Sequence, residues 1–355
     1  NPATFGFKMP DSVRNALVEN ADKAVAYCDL KGMPAAREAI WAYEQSKGIT
    51  SFTPDDIYIG NGVSELAPMC LTALLNPGDD SLWTNAAYLA EATPVFYRCH
   101  QENNWQPDPE EIKSLITERT RAILIINPNN PTGVIYGPEL LKELVEVARE
   151  NKLLIFSDEI YDRLLLGDAV HVSTASLCPD LPVITFNGLS KSHVVCGFRC
   201  GWMCVSGPDE LTKDYKAALT ALAAMRLCGN ALTQLVIPAA LEDSAYTKQM
   251  MSPGGRLYEQ SKAACDALEK IPGLTFVRNQ AAFYVFPKLD IEQFGITDDR
   301  KFALDLLHEK HILLVAGSGF DWPEPDHFRL VLLPEAQELK KAIEDIGDFL
   351  STYHQ

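Results

Sequence analysis

Short apolar runs in the first two thirds of the chain constrain the fold most. They occupy residues 56–59, 121–126, 153–156 and 183–186, and each has the length and composition of a buried strand. Between them, residues 138–151 repeat apolar side chains at helical spacing, so that one helix face is apolar. This alternation predicts an α/β domain over residues 11–240, in which helices cover both faces of a mostly parallel sheet.

The last third of the chain has a different pattern. It predicts a helix at residues 256–271, a strand pair within 274–286, a helix at 300–308, strands at 312–315 and 328–332, and a final helix behind Pro334. These elements indicate a smaller α+β domain over residues 241–355, which we expect residues 1–10 to join. A length of 355 residues agrees with two domains.

The composition narrows the choice of partners and of location. With 48 acidic and 31 basic residues the formal net charge is −17, and such a surface repels nucleic acid and anionic lipid. No apolar run approaches the roughly 18–20 residues that a membrane span requires, and no signal peptide opens the chain. We therefore expect a cytoplasmic protein that binds neither nucleic acid nor membranes.

The nine cysteines are scattered along the chain. Cys196, Cys200 and Cys204 fall at four-residue spacing but lack a histidine at ligand spacing, so we expect buried thiols and no metal site. Unpaired, scattered cysteines are typical of a reducing compartment.

The run at residues 187–201 carries the strongest chemical pattern. Lys191 follows a predicted strand, Ser190 precedes it, and Arg199 lies eight residues beyond. A lysine amine can bind an aldehyde cofactor covalently, while a hydroxyl and a guanidinium can hold a phosphate. The alternative is a surface lysine beside a structural arginine.

Polar side chains also follow two other predicted strands. Asp158 ends one strand, where a carboxylate could keep a pyridine nitrogen protonated, and Tyr161 could donate a hydrogen bond to a ring oxygen. Asn130 lies in a proline-rich turn behind another strand, with its amide where the strands end. The alternatives are a helix-capping aspartate, a packing tyrosine and a turn without a ligand.

Two further positions could bind anions. Val63 and Ser64 open a predicted helix behind a glycine, where backbone N–H groups attract a phosphate, although the same pattern often only caps a helix. Arg329 lies on a predicted strand of the second domain and could bind a substrate carboxylate, although a lone arginine there is usually a surface residue.

Together these motifs resemble the fold-type I aminotransferases, which use pyridoxal phosphate. The order and spacing match in Asn-Pro-Thr-Gly at 130–133, Asp-x-x-Tyr at 158–161 and the Ser-Lys…Gly-x-Arg run at 190–199, and the resemblance covers nearly the whole chain. The amino-acid sequences of residues 57–66, 225–228 and 253–260 are similar to those of the bacterial glutamate–pyruvate (alanine) aminotransferases. The resemblance implies a sheet of the seven-stranded type in the large domain.

The resemblance also implies roles for the residues around the cofactor ring. Lys191 would bind the cofactor covalently and act as the catalytic base. Asp158 would pair with the pyridine nitrogen. Asn130 and Tyr161 would hydrogen-bond the ring oxygen, and Asn130 would also contact the substrate.

The resemblance assigns the charged ends of the ligands to other residues. Ser190, Arg199 and the turn at Val63 and Ser64 would hold the phosphate, and Arg329 would bind the substrate α-carboxylate. Tyr27 matches a tyrosine that reaches the phosphate of the neighbouring subunit, which implies a homodimer with shared active sites.

The activity implied is transfer of an amino group from an amino acid, alanine or glutamate, to a 2-oxo acid, 2-oxoglutarate or pyruvate, in a ping-pong reaction. A carbon–sulfur β-lyase on the same fold is the alternative. A non-catalytic ligand sensor is a remote one, because the chain has an intact Lys191 and no basic or helix-turn-helix segment.

One segment departs from the family pattern. Behind Asp80 the family continues with a strand and a proline-rich loop, which carries the aromatic side chain that stacks on the cofactor ring. Here residues 81–90 follow directly and predict a helix, so that neither Trp83 nor Tyr88 is assigned to that role. Because the fold needs the strand, we hypothesise that the protein carries further residues between Asp80 and Ser81; an intact mass near 39.3 kDa would refute this.

Overall fold

The computed structural model describes residues 2–82 and 86–355. Its largest sheet has seven strands in the order β1-β7-β6-β5-β4-β2-β3. They are β1 (Ile57–Gly60), β2 (Asp80–Leu82), β3 (Thr93–Pro94), β4 (Thr120–Ile126), β5 (Leu154–Asp158), β6 (Val183–Gly188) and β7 (Gly201–Ser206). Only β7 runs antiparallel to its neighbours, so the predicted mostly parallel sheet is confirmed.

Helices cover both faces of this sheet. The helices of residues 11–251 are α1 (Asp11–Asn20), α2 (Pro34–Ser46), α3 (Val63–Leu74), α4 (Ala86–Leu89), α5 (Pro109–Leu115), α6 (Pro138–Asn151), α7 (Leu189–Ser192), α8 (Asp209–Met225), α9 (Ala231–Gln234), α10 (Ile237–Glu242) and α11 (Ser244–Met251). Of these, α11 packs with Met250 and Met251 in the third core described below. Alternate residues of the strands enter two cores, with α2, α6 and α10 on one face and α3 and α8 on the other. The predicted helix at 138–151 is confirmed residue for residue.

The remaining elements form a third core. They are α12 (Arg256–Leu268), β8 (Leu274–Thr275), β9 (Tyr284–Val285), β10 (Lys288–Leu289), α13 (Ile291–Phe294), α14 (Asp299–Lys310), β11 (Val315–Ala316), β12 (Phe328–Val331) and α15 (Ala336–Leu350). Phe5 and Phe7 pack against this core, which supports grouping residues 1–10 with it. Ile160 and Tyr161 pack there too, and the division into domains stays a prediction.

The strand pair predicted within residues 274–286 is wrong. β8 pairs with β10, and β9 pairs with β12, in two separate small sheets. The segment between β8 and β9 does not turn back as a hairpin, because the backbone N–H groups of Gln280 and Ala281 donate to the Gly133 carbonyl in the large sheet's loop. The strand predicted at 312–315 is also displaced, since β11 starts at Val315.

The helix predicted over residues 81–90 is wrong at its start. β2 fills the edge of the sheet beside β4, and the Asp80 N–H donates to the Arg119 carbonyl at 3.0 Å. The edge of β4 would otherwise leave backbone N–H and C=O groups unpaired, which favours a strand over a helix at this position. The strand that the family pattern requires behind residue 79 is therefore present as β2. Trp83 lies outside the described residues, and Tyr88 is exposed on α4.

Within the described ranges, no helix has the length and apolar character needed to cross a membrane.

Candidate active site

The carboxyl ends of β4, β5 and β6 meet at one level of the sheet. Asp158, the last residue of β5, is paired in register with Ile126 of β4 and Phe186 of β6. Ligands of such sheets bind off these ends. A cavity of about 380 Å³ opens there. Eight of the ten predicted site residues line it, namely Val63, Ser64, Asn130, Asp158, Tyr161, Ser190, Lys191 and Arg199.

Asp158 lies on the cavity wall with its Oδ1 accepting a hydrogen bond from the Ile160 N–H at 3.1 Å. Burial raises the pKa of this carboxyl to about 6, although the Ile160 N–H and the Lys191 ammonium oppose the shift. The carboxylate is thus costly to ionise by itself, and a cationic ligand group beside it would be stabilised.

Lys191 and Tyr161 face each other across the cavity. The Lys191 Nζ lies 5.9 Å from the centre of the Tyr161 ring. The Tyr161 hydroxyl lies 3.1 Å from the Tyr284 hydroxyl, and burial raises its pKa well above the usual range. The phenol therefore stays protonated at neutral pH and can donate a hydrogen bond.

The start of α3 and Arg199 form a second wall that suits an anion. Gly62 precedes α3 with φ of +83°, and a Cβ there would lie 2.6 Å from the Arg199 Nη2. Gly201 needs a bare Cα too, because a Cβ would lie 2.8 Å from the Val63 backbone nitrogen. The two glycines let the guanidinium and β7 approach the helix N-terminus, where the first N–H groups lack partners within the helix.

Arg329 does not line this cavity but is bound to it through Asn130. Its Nη1 donates to the Asn130 Oδ1 at 2.9 Å, and its guanidinium lies 4.7 Å from the Tyr284 ring centre and 4.8 Å from that of Phe320. Its Nε is buried without a hydrogen-bond partner among the described residues. A clamped guanidinium with a free donor suits a carboxylate ligand.

Tyr284 and Phe320 are site residues that the sequence reasoning missed. Tyr284 contacts both Tyr161 and Arg329, and Phe320 forms the other side of the arginine clamp. Tyr284 belongs to an aromatic-rich run, residues 283–286, whose pattern predicts only a buried strand in the hydrophobic core. No local signal marks Phe320, because its role depends on a strand that comes later in the chain.

Tyr27 stands apart from the other predicted residues. Its side chain is 83% exposed and contributes nothing to the cavity within one chain. Its assignment requires a second subunit and stays a prediction.

The cysteine prediction is confirmed for two of the three positions. Cys200 and Cys204 are buried, whereas Cys196 is half-buried and lines the cavity. In the described residues, no group of histidine, cysteine and carboxylate side chains is arranged to hold a metal ion.

Comparison with known proteins identifies the family. Residues 2–346 match the family "aminotransferase class I and II". The glutamate–pyruvate aminotransferase AlaA of Haemophilus influenzae is 48% identical over all of this chain and 90% of its own length, and an alanine aminotransferase of Mycobacterium bovis is 45% identical over all of this chain and 85% of its own.

Solved structures agree as well. A crystal structure of an aminotransferase from Escherichia coli superposes with a TM-score of 0.98 at 47% identity, over all of this chain and 90% of that one. The Haemophilus influenzae alignment runs over 363 positions, eight more than the 355 residues here, so that relative has residues that this chain lacks. The chain belongs to the class I and II aminotransferases, and it is an enzyme that transfers an amino group between an amino acid and a 2-oxo acid.

Proposed function

We propose that the chain is a pyridoxal-phosphate-dependent aminotransferase of the glutamate–pyruvate (alanine) type. The observation that carries the proposal is one cavity with two chemically distinct walls and an arginine held beside it. A lysine and a buried carboxylate form one, a helix N-terminus with an arginine forms the second, and a clamped arginine approaches through Asn130. The first wall suits the cofactor ring, the second suits the phosphate, and Arg329 suits the substrate carboxylate.

The phosphate would be held by the second wall. Arg199 supplies a fixed positive charge, the N–H groups at Val63 and Ser64 supply donors, and Ser190 adds a hydroxyl. These local groups must attract the anion against the overall field, since the protein as a whole carries a formal charge of −17.

The ring would lie between the lysine and the carboxylate. Asp158 would pair with a protonated ring nitrogen, which repays the cost of ionising a carboxyl whose pKa is about 6. Tyr161 is the donor for the ring oxygen, and Asn130 can serve the same atom through its amide nitrogen, because its Oδ1 already accepts from Arg329.

When bound, pyridoxal phosphate withdraws electrons from the substrate Cα and makes the Cα proton acidic. Lys191 is the group proposed to hold the cofactor covalently and, once displaced by substrate, to remove and return that proton. Its position next to the Tyr161 ring keeps the amine inside the cavity.

The substrate carboxylate would bind Arg329. The rings of Tyr284 and Phe320 hold the guanidinium in one plane, so less conformational entropy is lost when two parallel hydrogen bonds form. Alanine and glutamate as donors, with 2-oxoglutarate and pyruvate as acceptors, follow from the relatives, which are named alanine and glutamate–pyruvate aminotransferases.

A cytoplasmic homodimer with shared sites completes the proposal. Tyr27 is 83% exposed, and the apolar side chains of Val25, Met225 and Leu227 are also exposed on the described chain. In the proposed dimer, these side chains would be covered where the two subunits meet. Sedimentation equilibrium would detect the dimer, and a monomer at micromolar concentration would contradict it.

Steady-state assays with a panel of amino acids and 2-oxo acids test the function. Strict dependence on a 2-oxo acid, with alanine and 2-oxoglutarate among the best pairs, is the expected outcome. Release of pyruvate and ammonia from cystathionine without any 2-oxo acid would contradict it and indicate a β-lyase.

Asp158→Asn should stabilise the cofactor-free protein while weakening cofactor binding. The folded-state pKa of about 6 lies above the ordinary 3.8, so ionisation penalises the folded state progressively between these values and fully above them. The asparagine removes this penalty, which raises the free energy of unfolding by roughly 3 kcal/mol at pH 8 and leaves it nearly unchanged near pH 4. Thermal denaturation without cofactor at both pH values checks this, and a destabilised variant at pH 8 would contradict it.

Gly62→Ala should weaken pyridoxal phosphate binding by about tenfold, because the new Cβ displaces Arg199 from the phosphate wall and loses a charge-assisted hydrogen bond. Equilibrium titration with the cofactor measures the loss. Gly254→Ala is the matched control, since Gly254 also has a positive φ of +84° and a Cβ there meets nothing within 4 Å. Equal affinity in the two variants would show that Arg199 is not held as proposed.

A further inference from the structure

A buried ionic cluster lies behind the cofactor cavity. The Lys47 Nζ at the end of α2 contacts three carboxylates, Glu44 Oε2 at 2.5 Å, Asp162 Oδ2 at 2.9 Å and Glu159 Oε2 at 3.0 Å. The lysine side chain is 13% exposed, and the three carboxylates are at most 2% exposed. We call these four side chains the Lys47 cluster. None of them lines the cavity.

The charge balance of the Lys47 cluster argues against a role in stability alone. Three buried carboxylates share one ammonium, and burial raises the pKa of Glu44 to about 7. The pKa of Lys47 is held well above its usual range by the carboxylates, despite burial, which lowers it. The His171 Nε2 lies 3.9 Å from the Glu159 Oε2. Buried ion pairs rarely stabilise a fold more than apolar side chains of the same volume would.

Asp162 connects the Lys47 cluster to the strand that leads to Lys191. Its Oδ2 accepts hydrogen bonds from the Tyr43 hydroxyl and the Asn187 Nδ2, both at 2.7 Å, as well as from Lys47. Asn187 is buried near the end of β6, and its Oδ1 accepts from the Gly188 N–H at 2.8 Å. The backbone at Gly188 is thereby fixed directly before α7, which carries Lys191.

We infer that Lys47, Asp162 and Asn187 are positioning residues for Lys191. Lys47 keeps Asp162 ionised and in place, Asp162 orients the Asn187 amide, and the amide fixes the turn from which the Lys191 side chain extends. These groups contact neither ligand nor reacting atoms, so they act only through Lys191. The inference rests on the proposed function, because it presupposes that Lys191 binds the cofactor aldehyde.

The test compares two ligands. Pyridoxal phosphate binds the cavity walls and also reacts with Lys191, whose amine nitrogen replaces the aldehyde oxygen while water leaves. Pyridoxine phosphate has the same ring and phosphate but an alcohol in place of the aldehyde, so it binds the walls alone. The ratio of the two dissociation constants therefore isolates the contribution of Lys191, and a general loosening of the site would change both constants alike.

Lys47→Met and Asn187→Ala are each expected to weaken pyridoxal phosphate binding by about tenfold while pyridoxine phosphate binding stays unchanged, since a misplaced amine forfeits of the order of one hydrogen bond's free energy in the covalent complex. In the same variants kcat should fall, and KM for the amino acid should stay the same. Asn187→Ala changes no buried charge, so it tests the connection from Asp162 to Lys191 even if Lys47→Met folds poorly.

Lys47→Arg keeps the cation, so the ratio of the two dissociation constants should equal that of the unmodified protein. Glu44→Gln removes a carboxylate that takes no part in the path from Lys47 through Asp162 to Asn187, so the ratio should again be unchanged. An unchanged ratio in Asn187→Ala, or equal weakening of both ligands, would overturn the inference. An unmodified protein that binds neither ligand would instead overturn the proposed function, and the positioning role with it.

Discussion

Lys191→Ala is expected to lower kcat for transamination between alanine and 2-oxoglutarate by roughly 10⁴-fold, because no other amine in the described cavity can take its place as the proton carrier. The variant should also lose covalent attachment of the cofactor. Borohydride reduction followed by peptide mass analysis would locate the attached cofactor at Lys191 in the unmodified protein and find none at residue 191 in the variant.

Lys213→Ala is the matched control for this change. Lys213 is exposed on α8 and does not line the cavity, so its replacement should leave kcat and attachment unchanged. Retained transamination in Lys191→Ala would refute the assignment of the catalytic base. Lost activity in both variants would indicate a general effect of removing a lysine.

Arg329→Gln is expected to lower kcat/KM for alanine by roughly 10²- to 10³-fold, the usual effect of removing one partner of a desolvated charge pair. Most of the loss should appear in KM, since the arginine binds a substrate group that takes no part in the reaction. Alaninamide lacks the carboxylate, so its kcat/KM should change little. The decisive measurement is the alanine-to-alaninamide preference of the two proteins.

Arg278→Gln provides the control, because this arginine forms exposed ion pairs with Asp266 and Glu269 away from the cavity. It should leave the preference intact. Equal losses for alanine and alaninamide in Arg329→Gln would show that the guanidinium supports the clamp of Tyr284 and Phe320 and does not recognise the carboxylate.

Local sequence predicted the sheet and most of the cavity because both depend on short-range patterns. The apolar runs that became β4, β5 and β6 are buried strands, and the polar residues directly behind them share one edge of the sheet. Lys191, Asp158 and Asn130 were therefore brought together by strand direction alone. The same reasoning failed at residues 81 and 82, where the unpaired edge of β4 decided the structure more than the local helical pattern did.

The sequence by itself determined the fold class and the chemical groups of the cofactor wall, since strand periodicity and residue identity are local properties. Only the tertiary structure decided which side chains contact those groups and how their pKa values are shifted. The contact from Arg329 to Asn130 joins residues 199 positions apart, and the aromatic clamp comes from two other segments of the chain. The Lys47 cluster joins α2 to the segment behind β5, and Asp162 links it to Asn187 of β6. Burial, which raises the pKa of Asp158 to about 6, depends on every element packed around it and on no pattern within one segment.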